Sequence, residues 1–110
     1  MYVYVAGPYG SMPESNTHRA IRMGNKLMDA GFIPFVPHVN AHYWHSLYNM
    51  KEKEWMAYDL AWLRKCDVVM RMEGESKGAD EEVEEAKRLG IPVVYSVDEL
   101  VKVEKEKENR

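Results

Sequence analysis

Two acidic side chains on consecutive predicted helices carry the chemistry that this sequence suggests. The first is Glu82, in the acidic run 76–90 that follows the strand-like segment 67–72. An apolar stripe recurs along this predicted helix at about 100° per residue, formed by Ala79, Val83, Ala86 and Gly90. Glu82 lies at the border of the stripe and in the first turn, where the helix dipole favours an ionised carboxylate. It could face inward as a functional acid, or it could belong to a solvated charged face.

The second acid is Asp59, on a helix predicted from about residue 51 to residue 65. Helical spacing puts Asp59 on one face with Trp55, Trp62 and Cys66. Burying an ionised group within an apolar arc costs free energy unless the group is paired with another polar group or has a function. Asp59 is therefore either bonded to a helix cap or a tyrosine, or it is functional. Two inward carboxylates near one loop suit chemistry at the anomeric carbon of a sugar, where one acid acts as the nucleophile and another group transfers a proton.

Predicted strands and helices alternate along the chain and indicate an α/β fold. We expect strands at 2–6, 32–36, 67–72 and 91–95, and helices at about 16–30, 51–65, 76–90 and after a capping box of Ser96 and Glu99. Such alternation favours a parallel sheet with right-handed crossovers. We predict a three-layer sandwich with a four- or five-stranded parallel sheet in flavodoxin-like, Rossmann-like order. Ligands bind such sheets at the carboxyl ends of the strands.

Length, charge and cysteine content limit the class of protein. The 110 residues suffice for one compact domain, which we place at 1–100, with a charged tail or helix end at 101–110. The net charge of −3 gives no general attraction to nucleic acid or to an anionic membrane, so we expect neither partner. No apolar run approaches membrane-spanning length, and the N-terminus shows no signal-peptide pattern. The single cysteine, Cys66, fits a reducing cytoplasm and reads as a core residue.

The segment 38–50 is rich in His, Tyr and Trp and has no clean periodicity. Three histidines could share a helical face and bind zinc, namely His38, His42 and His45. A loop fits the segment equally well, and no Cys or acid accompanies these histidines, so we predict no metal site. Three aromatic residues could form a lid over a nucleobase, pack a neighbouring subunit, or simply pack under the long connection: Tyr43, Trp44 and Tyr48.

The first loop ends a strand with the turn signal Gly7-Pro8-Tyr9-Gly10. This loop is neither a phosphate-binding P-loop nor a dinucleotide fingerprint. We therefore expect no NAD, ATP or other cofactor.

Several segments, taken together, resemble the nucleoside 2-deoxyribosyltransferase-like family. They are the run 4–8 (Tyr-Val-Ala-Gly-Pro), Asp59-Leu60, the run 67–69 (Asp-Val-Val), and Gly78 four residues before Glu82. The run from Asp59 through 67–69 to Ser76, Gly78 and Glu82 is also similar to the related 2-deoxynucleoside 5-monophosphate N-glycosidases. The resemblance spans roughly residues 2–95 in order and spacing.

The resemblance implies a covalent mechanism. Glu82 would attack the anomeric carbon, and another base or water would then capture the glycosyl-enzyme. Asp59 would position the sugar or the nucleobase, or relay the proton to the leaving base. Tyr4 would orient the nucleophile through its hydroxyl.

The resemblance also implies a binding pocket and an assembly. The first loop (Gly7, Pro8, Tyr9 and Gly10) would bind substrate together with Ser76 and Gly78, and in the monophosphate-cleaving relatives the loop and the serine hold the 5-phosphate. Backbone N–H groups at a helix start supply such an anion site. We expect a homodimer or an assembly of dimers that shares its pockets between subunits, with Trp44 at the pocket mouth or the subunit boundary.

Two functions remain open from the sequence. The first is an enzyme that cleaves or transfers the N-glycosidic bond of a deoxynucleoside or its 5-monophosphate. The alternative is a catalytically silent nucleotide-sensing module with the same pocket, which Glu84 and the acids around it favour.

Overall fold

The computed structural model describes residues 1–109, and at His45 and Ser46 the backbone alone. The elements in chain order are β1 (Tyr2–Ala6), α1 (Pro13–Asp29), β2 (Ile33–Phe35), α2 (Pro37–Tyr43), α3 (His45–Tyr48), α4 (Glu52–Leu63), β3 (Val68–Arg71), α5 (Lys77–Arg88), β4 (Val93–Val94) and α6 (Val97–Glu108). None of the helices within the described range is both long and apolar enough to cross a bilayer.

The four strands form one parallel sheet in the order β2-β1-β3-β4. This confirms the predicted α/β fold with a four-stranded parallel sheet. Both outer strands are short: β2 has three residues with Pro34 in the middle, and β4 has two.

Alternation along the strands divides the core into two layers, one on each face of the sheet. Side chains of α1 and α6 pack on one face, where the buried core is Val3, Val5, Ala20, Leu27, Phe32, Val68, Met70, Val94 and Leu100. Helices α4 and α5 cover the other face, where the buried core is Tyr4, Ala6, Leu63, Cys66, Val69, Ala79 and Ala86. The layer with Tyr4 is the one that builds the site.

The main departure from the predicted elements lies between β2 and α4. The segment 38–50, which has no regular hydrophobic period, folds into the short helices α2 and α3. Pro37 begins α2, where its missing N–H costs no hydrogen bond. Asn49, at a φ of 49°, ends α3 in the left-handed region. Aromatic packing stabilises this region, with the Trp44 and Trp55 ring centroids 5.3 Å apart.

The predicted pair of Ser96 and Glu99 caps the start of α6, although Glu99 bonds the residue before the N-cap and not the N-cap itself. Ser96 Oγ accepts a hydrogen bond from the Glu99 amide at 3.1 Å, and Glu99 Oε2 accepts one from the Tyr95 amide at 2.6 Å. Leu100 is fully buried, and Val101 and Val103 pack against the core. The helix continues through the boundary that we placed at residue 100, so the charged segment 101–110 begins as part of α6.

Candidate functional site

The site is centred on a contact between β1 and α5. Tyr4, at the middle of β1, is fully buried, and its hydroxyl donates a hydrogen bond to Glu82 Oε2. Burial raises the pKa of Tyr4 well above its usual value, and the nearby Glu82 and Asp59 carboxyls raise it further. The phenol therefore stays protonated and remains a hydrogen-bond donor to Glu82.

Helix phase explains why Glu82 faces inward. Ala79, Val83 and Ala86 bury the apolar stripe of α5 against the sheet, and Glu82 is only 6% exposed beside them. Its neighbour Glu81 is exposed. Glu82 therefore belongs to the inward border of the helix rather than to its solvated face.

Ser76 starts α5 and is already engaged in helix capping. Its Oγ accepts a hydrogen bond from the Ala79 amide at 3.1 Å, which satisfies one of the free N–H groups of the first turn. The hydroxyl proton of Ser76 is still available to a ligand, and Ser76 and Gly78 both line the cleft described below.

Asp59 approaches the same place from α4. Its Oδ1 is buried and has no hydrogen-bond partner among the described residues. An ion pair also links the two acid-bearing helices, because Arg64 Nη2 at the end of α4 lies 2.6 Å from Glu85 Oε2 on α5. This ion pair holds together the two helices that bring Asp59 and Glu82 to the cleft.

A cleft of about 420 Å³ joins these groups. Its walls come from the first loop, from α2, from α4 and from the first turns of α5. Glu82 and Asp59 both line it, as do Gly7, Tyr9 and Gly10. The structure therefore brings together both predicted acids and most of the predicted binding loop.

The carboxyl groups in the cleft share a low-dielectric environment. Burial raises the pKa of Glu82 to about 8, while the Tyr4 hydrogen bond and the Arg71 guanidinium lower it in part. Burial also raises the pKa of Asp59 to about 7. Each group can therefore exchange a proton near neutral pH, which is the property that general acid–base catalysis requires.

Three lining residues on α4 were not predicted as site residues, although helical spacing had placed Trp55 on the same face as Asp59. Glu52, Trp55 and Met56 line it from α4. They precede Asp59 by seven, four and three residues, so they share its helical face. That spacing was the signal that could have found them.

His38, at the start of α2, also lines the cleft, which we did not predict. It is 4% exposed, and its Nε2 lies 3.2 Å from the Gly7 carbonyl oxygen and 3.1 Å from the Pro8 carbonyl oxygen. His38 therefore fixes the first loop against α2. Nothing in the sequence spacing indicated this contact, which joins segments about thirty residues apart.

The chain has a family assignment that covers this whole site. A family model described as a domain of unknown function, DUF7768, matches residues 1–96. The chain belongs to this family. No curated protein matches the chain significantly. The matched part of the DUF7768 domain includes Tyr4, Asp59 and Glu82 and every strand of the sheet.

Two predicted binding residues of the DUF7768 domain lie beside the cleft or outside it. Pro8 is buried and presents its carbonyl to His38, but its side chain is not part of the lining. Trp44 is 41% exposed and packs edge-on against Trp55 instead of lining the cleft itself. Trp44 therefore contacts the wall of the cleft through Trp55, which lines it.

His38 and His42 share one side of α2, where both pack edge-on against Tyr9. His38 is buried in the cleft wall, while His42 packs edge-on against Tyr9 and Tyr43. The side chain of His45 lies outside the described residues. Within the described part of the chain, no group of three His, Cys, Asp or Glu side chains could hold a metal ion.

Proposed function

We propose that the chain cleaves or transfers the N-glycosidic bond of a deoxynucleoside through a covalent glycosyl-enzyme on Glu82. The observation that carries the proposal is the buried Tyr4–Glu82 hydrogen bond in a cleft that Asp59 also lines. A carboxylate held by a phenol and set beside a second carboxyl is the arrangement that displacement at an anomeric carbon uses.

The bond changes can be written with these groups. A Glu82 carboxylate oxygen attacks the anomeric carbon as the bond from that carbon to the base nitrogen breaks. The carboxyl group of Asp59 gives its proton to the departing base. Because the pKa of Glu82, about 8, lies above that of Asp59, about 7, this reactive form is the minor of the two singly protonated forms in the free chain. A second base, or water, then attacks the same carbon, the ester to Glu82 breaks, and Asp59 recovers a proton from the attacking group.

Tyr4 supports this chemistry in two ways. Its hydroxyl fixes the orientation of the Glu82 carboxyl group, and its hydrogen bond favours the ionised form that attacks. An ionised carboxylate in a buried site is otherwise disfavoured by desolvation.

The charge of the cleft favours an unphosphorylated nucleoside over a 5-monophosphate. The ionisable groups among its described lining residues are Tyr9, His38, Glu52, Asp59 and Glu82, with no Lys or Arg. A phosphate dianion would therefore meet carboxyl groups without a cation. At the start of α5 the Ala79 N–H is bonded to Ser76 Oγ, so this N–H is not free for a phosphate.

The second candidate function is a nucleoside-binding module without turnover. The pKa of Glu82, raised to about 8 by burial, supports it, because most Glu82 side chains are then protonated at neutral pH and cannot attack. The two functions differ in what substrate binding does to Glu82. An enzyme requires that bound substrate favour the ionised carboxylate, whereas in a silent module Glu82 stays neutral.

The test is incubation with a panel of deoxynucleosides and their 5-monophosphates, with and without an acceptor base, followed by chromatography of the free bases. Glu82→Gln serves as the matched control for background hydrolysis. Release of base by the native chain but not by Glu82→Gln supports the enzyme. Binding of the nucleosides with no release, in either protein, supports the silent module.

A further inference from the structure

His38 supplies a second recognition group in the cleft. The ring is 4% exposed, lines the same cleft as Glu82, and holds two neighbouring carbonyl oxygens of the first loop with Nε2. Both of those partners are acceptors, so Nε2 must carry the ring proton. Burial lowers the pKa of His38 below its usual value, which leaves the ring neutral at pH 7.

The other ring nitrogen, Nδ1, is consequently an acceptor with a lone pair. Nδ1 is buried, and no described residue donates a hydrogen bond to it. A buried acceptor without a donor is costly, and native proteins satisfy almost all such groups. The cleft has a second group of this kind, since Asp59 Oδ1 is also buried and unpaired among the described residues.

We propose that His38 Nδ1 is a specificity-determining acceptor that receives a hydrogen bond from an O–H or N–H group of the bound nucleoside. The assignment rests on the proposed function for the identity of the ligand. His38 takes no part in the bond changes at the anomeric carbon. Its Nε2 keeps the first loop in place, while Nδ1 selects ligands that carry a donor at one position.

Two substitutions separate the two ring nitrogens. In His38→Gln, the side-chain amide can reach the Gly7 and Pro8 carbonyls in place of Nε2, but no acceptor remains at the position of Nδ1. In His38→Asn, the shorter amide places an acceptor near the position of Nδ1 and gives up the contact with the loop. A purely structural role predicts that Asn is the more harmful of the two, whereas a ligand-binding role predicts that Gln is the more harmful for binding.

The experiment measures the affinity of the native chain and both variants for 2-deoxyadenosine and for analogues that each lack one donor: the 3-hydroxyl, the 5-hydroxyl or the 6-amino group. Titration calorimetry gives the dissociation constants, and thermal unfolding reports whether each variant is folded. For the native chain, removal of the relevant donor should weaken binding by about tenfold. The same removal should have little effect on His38→Gln, because the acceptor is already gone.

The outcomes separate this proposal from the proposed function. The assignment is supported if removing one ligand donor weakens binding to the native chain and to His38→Asn but not to His38→Gln. We call this dependence on one donor the coupling. Native-chain binding with equal donor dependence in all three proteins overturns it and leaves the proposed function intact, since water would then satisfy Nδ1. If the native chain binds none of these nucleosides, the proposed function falls and the assignment falls with it. If His38→Gln does not fold, His38→Asn decides. Loss of the coupling in folded His38→Asn would overturn this proposal and leave the proposed function intact.

Discussion

The Tyr4 hydroxyl donates a hydrogen bond to Glu82 Oε2 across 78 residues of sequence. The contact joins the central strand β1 to α5, inside the layer of the core that α4 and α5 cover. Glu82 lies in the second turn of α5, not in the first turn where we expected it. Both partners are buried. The protonation state of Glu82 is therefore set mainly by burial and by the Tyr4 hydroxyl, with smaller effects from the charges of Asp59 and Arg71.

Replacement of Glu82 should abolish base release. Glu82→Gln keeps the shape of the side chain but removes the nucleophile, so we expect a loss of at least about a thousandfold in turnover. Chromatographic measurement of released base checks it. The matched control is Glu81→Gln, one residue away on the exposed side of α5, which should retain nearly native turnover. An equal loss in both variants would refute the assignment of the nucleophile.

Removal of the Tyr4 hydroxyl should move the pH profile toward alkaline pH. The Tyr4 hydrogen bond lowers the pKa of Glu82, so Tyr4→Phe raises that pKa and less of the attacking carboxylate is present at neutral pH. We expect about a tenfold loss of kcat/KM at pH 7 that is partly recovered at higher pH. A loss of the same size at every pH would mean that the hydroxyl acts only through orientation. Tyr2→Phe, which alters an exposed tyrosine of the same strand, is the control.

The buried acid should make the domain less stable as the pH rises. The pKa of Glu82 is raised from 4.5 to about 8 on folding, so the folded chain holds this proton over a range in which the unfolded chain has released it. The contribution to stability is full below pH 4.5 and is lost as the pH rises toward about 8, by up to about 1.4 kcal/mol per pH unit.

Denaturant unfolding of Glu82→Gln at several pH values tests that linkage. The neutral amide cannot ionise, so its stability relative to the native chain should improve steadily between acidic and mildly alkaline pH. Glu84→Gln, at an exposed position of the same helix, should show no such trend. Parallel pH curves for the native chain and Glu82→Gln would contradict the buried, raised-pKa assignment.

The aromatic segment should affect association more than folding. Tyr43, Trp44 and Tyr48 are 63%, 41% and 65% exposed, and Leu47 is 85% exposed, an apolar surface that small monomers seldom leave uncovered. We propose a homodimer through this segment and expect Trp44→Ala to weaken it. Light scattering at micromolar concentration checks this prediction, and a native mass near 12.8 kDa would mean a monomer. Leu89→Ala, at a site of similar exposure, is the control.

Periodicity in the sequence accounts for the sheet, for the long helices and for the inward side of α5. The stripe of Ala79, Val83 and Ala86 is a local pattern that helix geometry turns directly into a buried face. The position of Asp59 on an apolar helical face could be read in the same way. These features depend on residues a few positions apart, which is the distance over which helical periodicity operates.

Contacts between distant segments could not be read from periodicity. The partner of Glu82 lies 78 residues away, and only the resemblance to a family suggested Tyr4. His38 was considered as a metal ligand, whereas its Nε2 holds the first loop. The sequence left helix and loop equally open for the segment of α2 and α3, because edge-on aromatic packing against α4, rather than an amphipathic period, stabilises it.

The edges of the sheet restrict how two copies of this chain can meet. Strands exposed at a sheet edge can recruit another strand through their unpaired N–H and C=O groups. Here one edge strand carries Pro34, which has no N–H to offer, and the other edge strand is only two residues long. Neither edge presents the continuous row of donors and acceptors that a shared intermolecular sheet needs. The proposed dimer therefore has to form through helix surfaces, so its strength should depend on side-chain complementarity and be open to tuning by single substitutions.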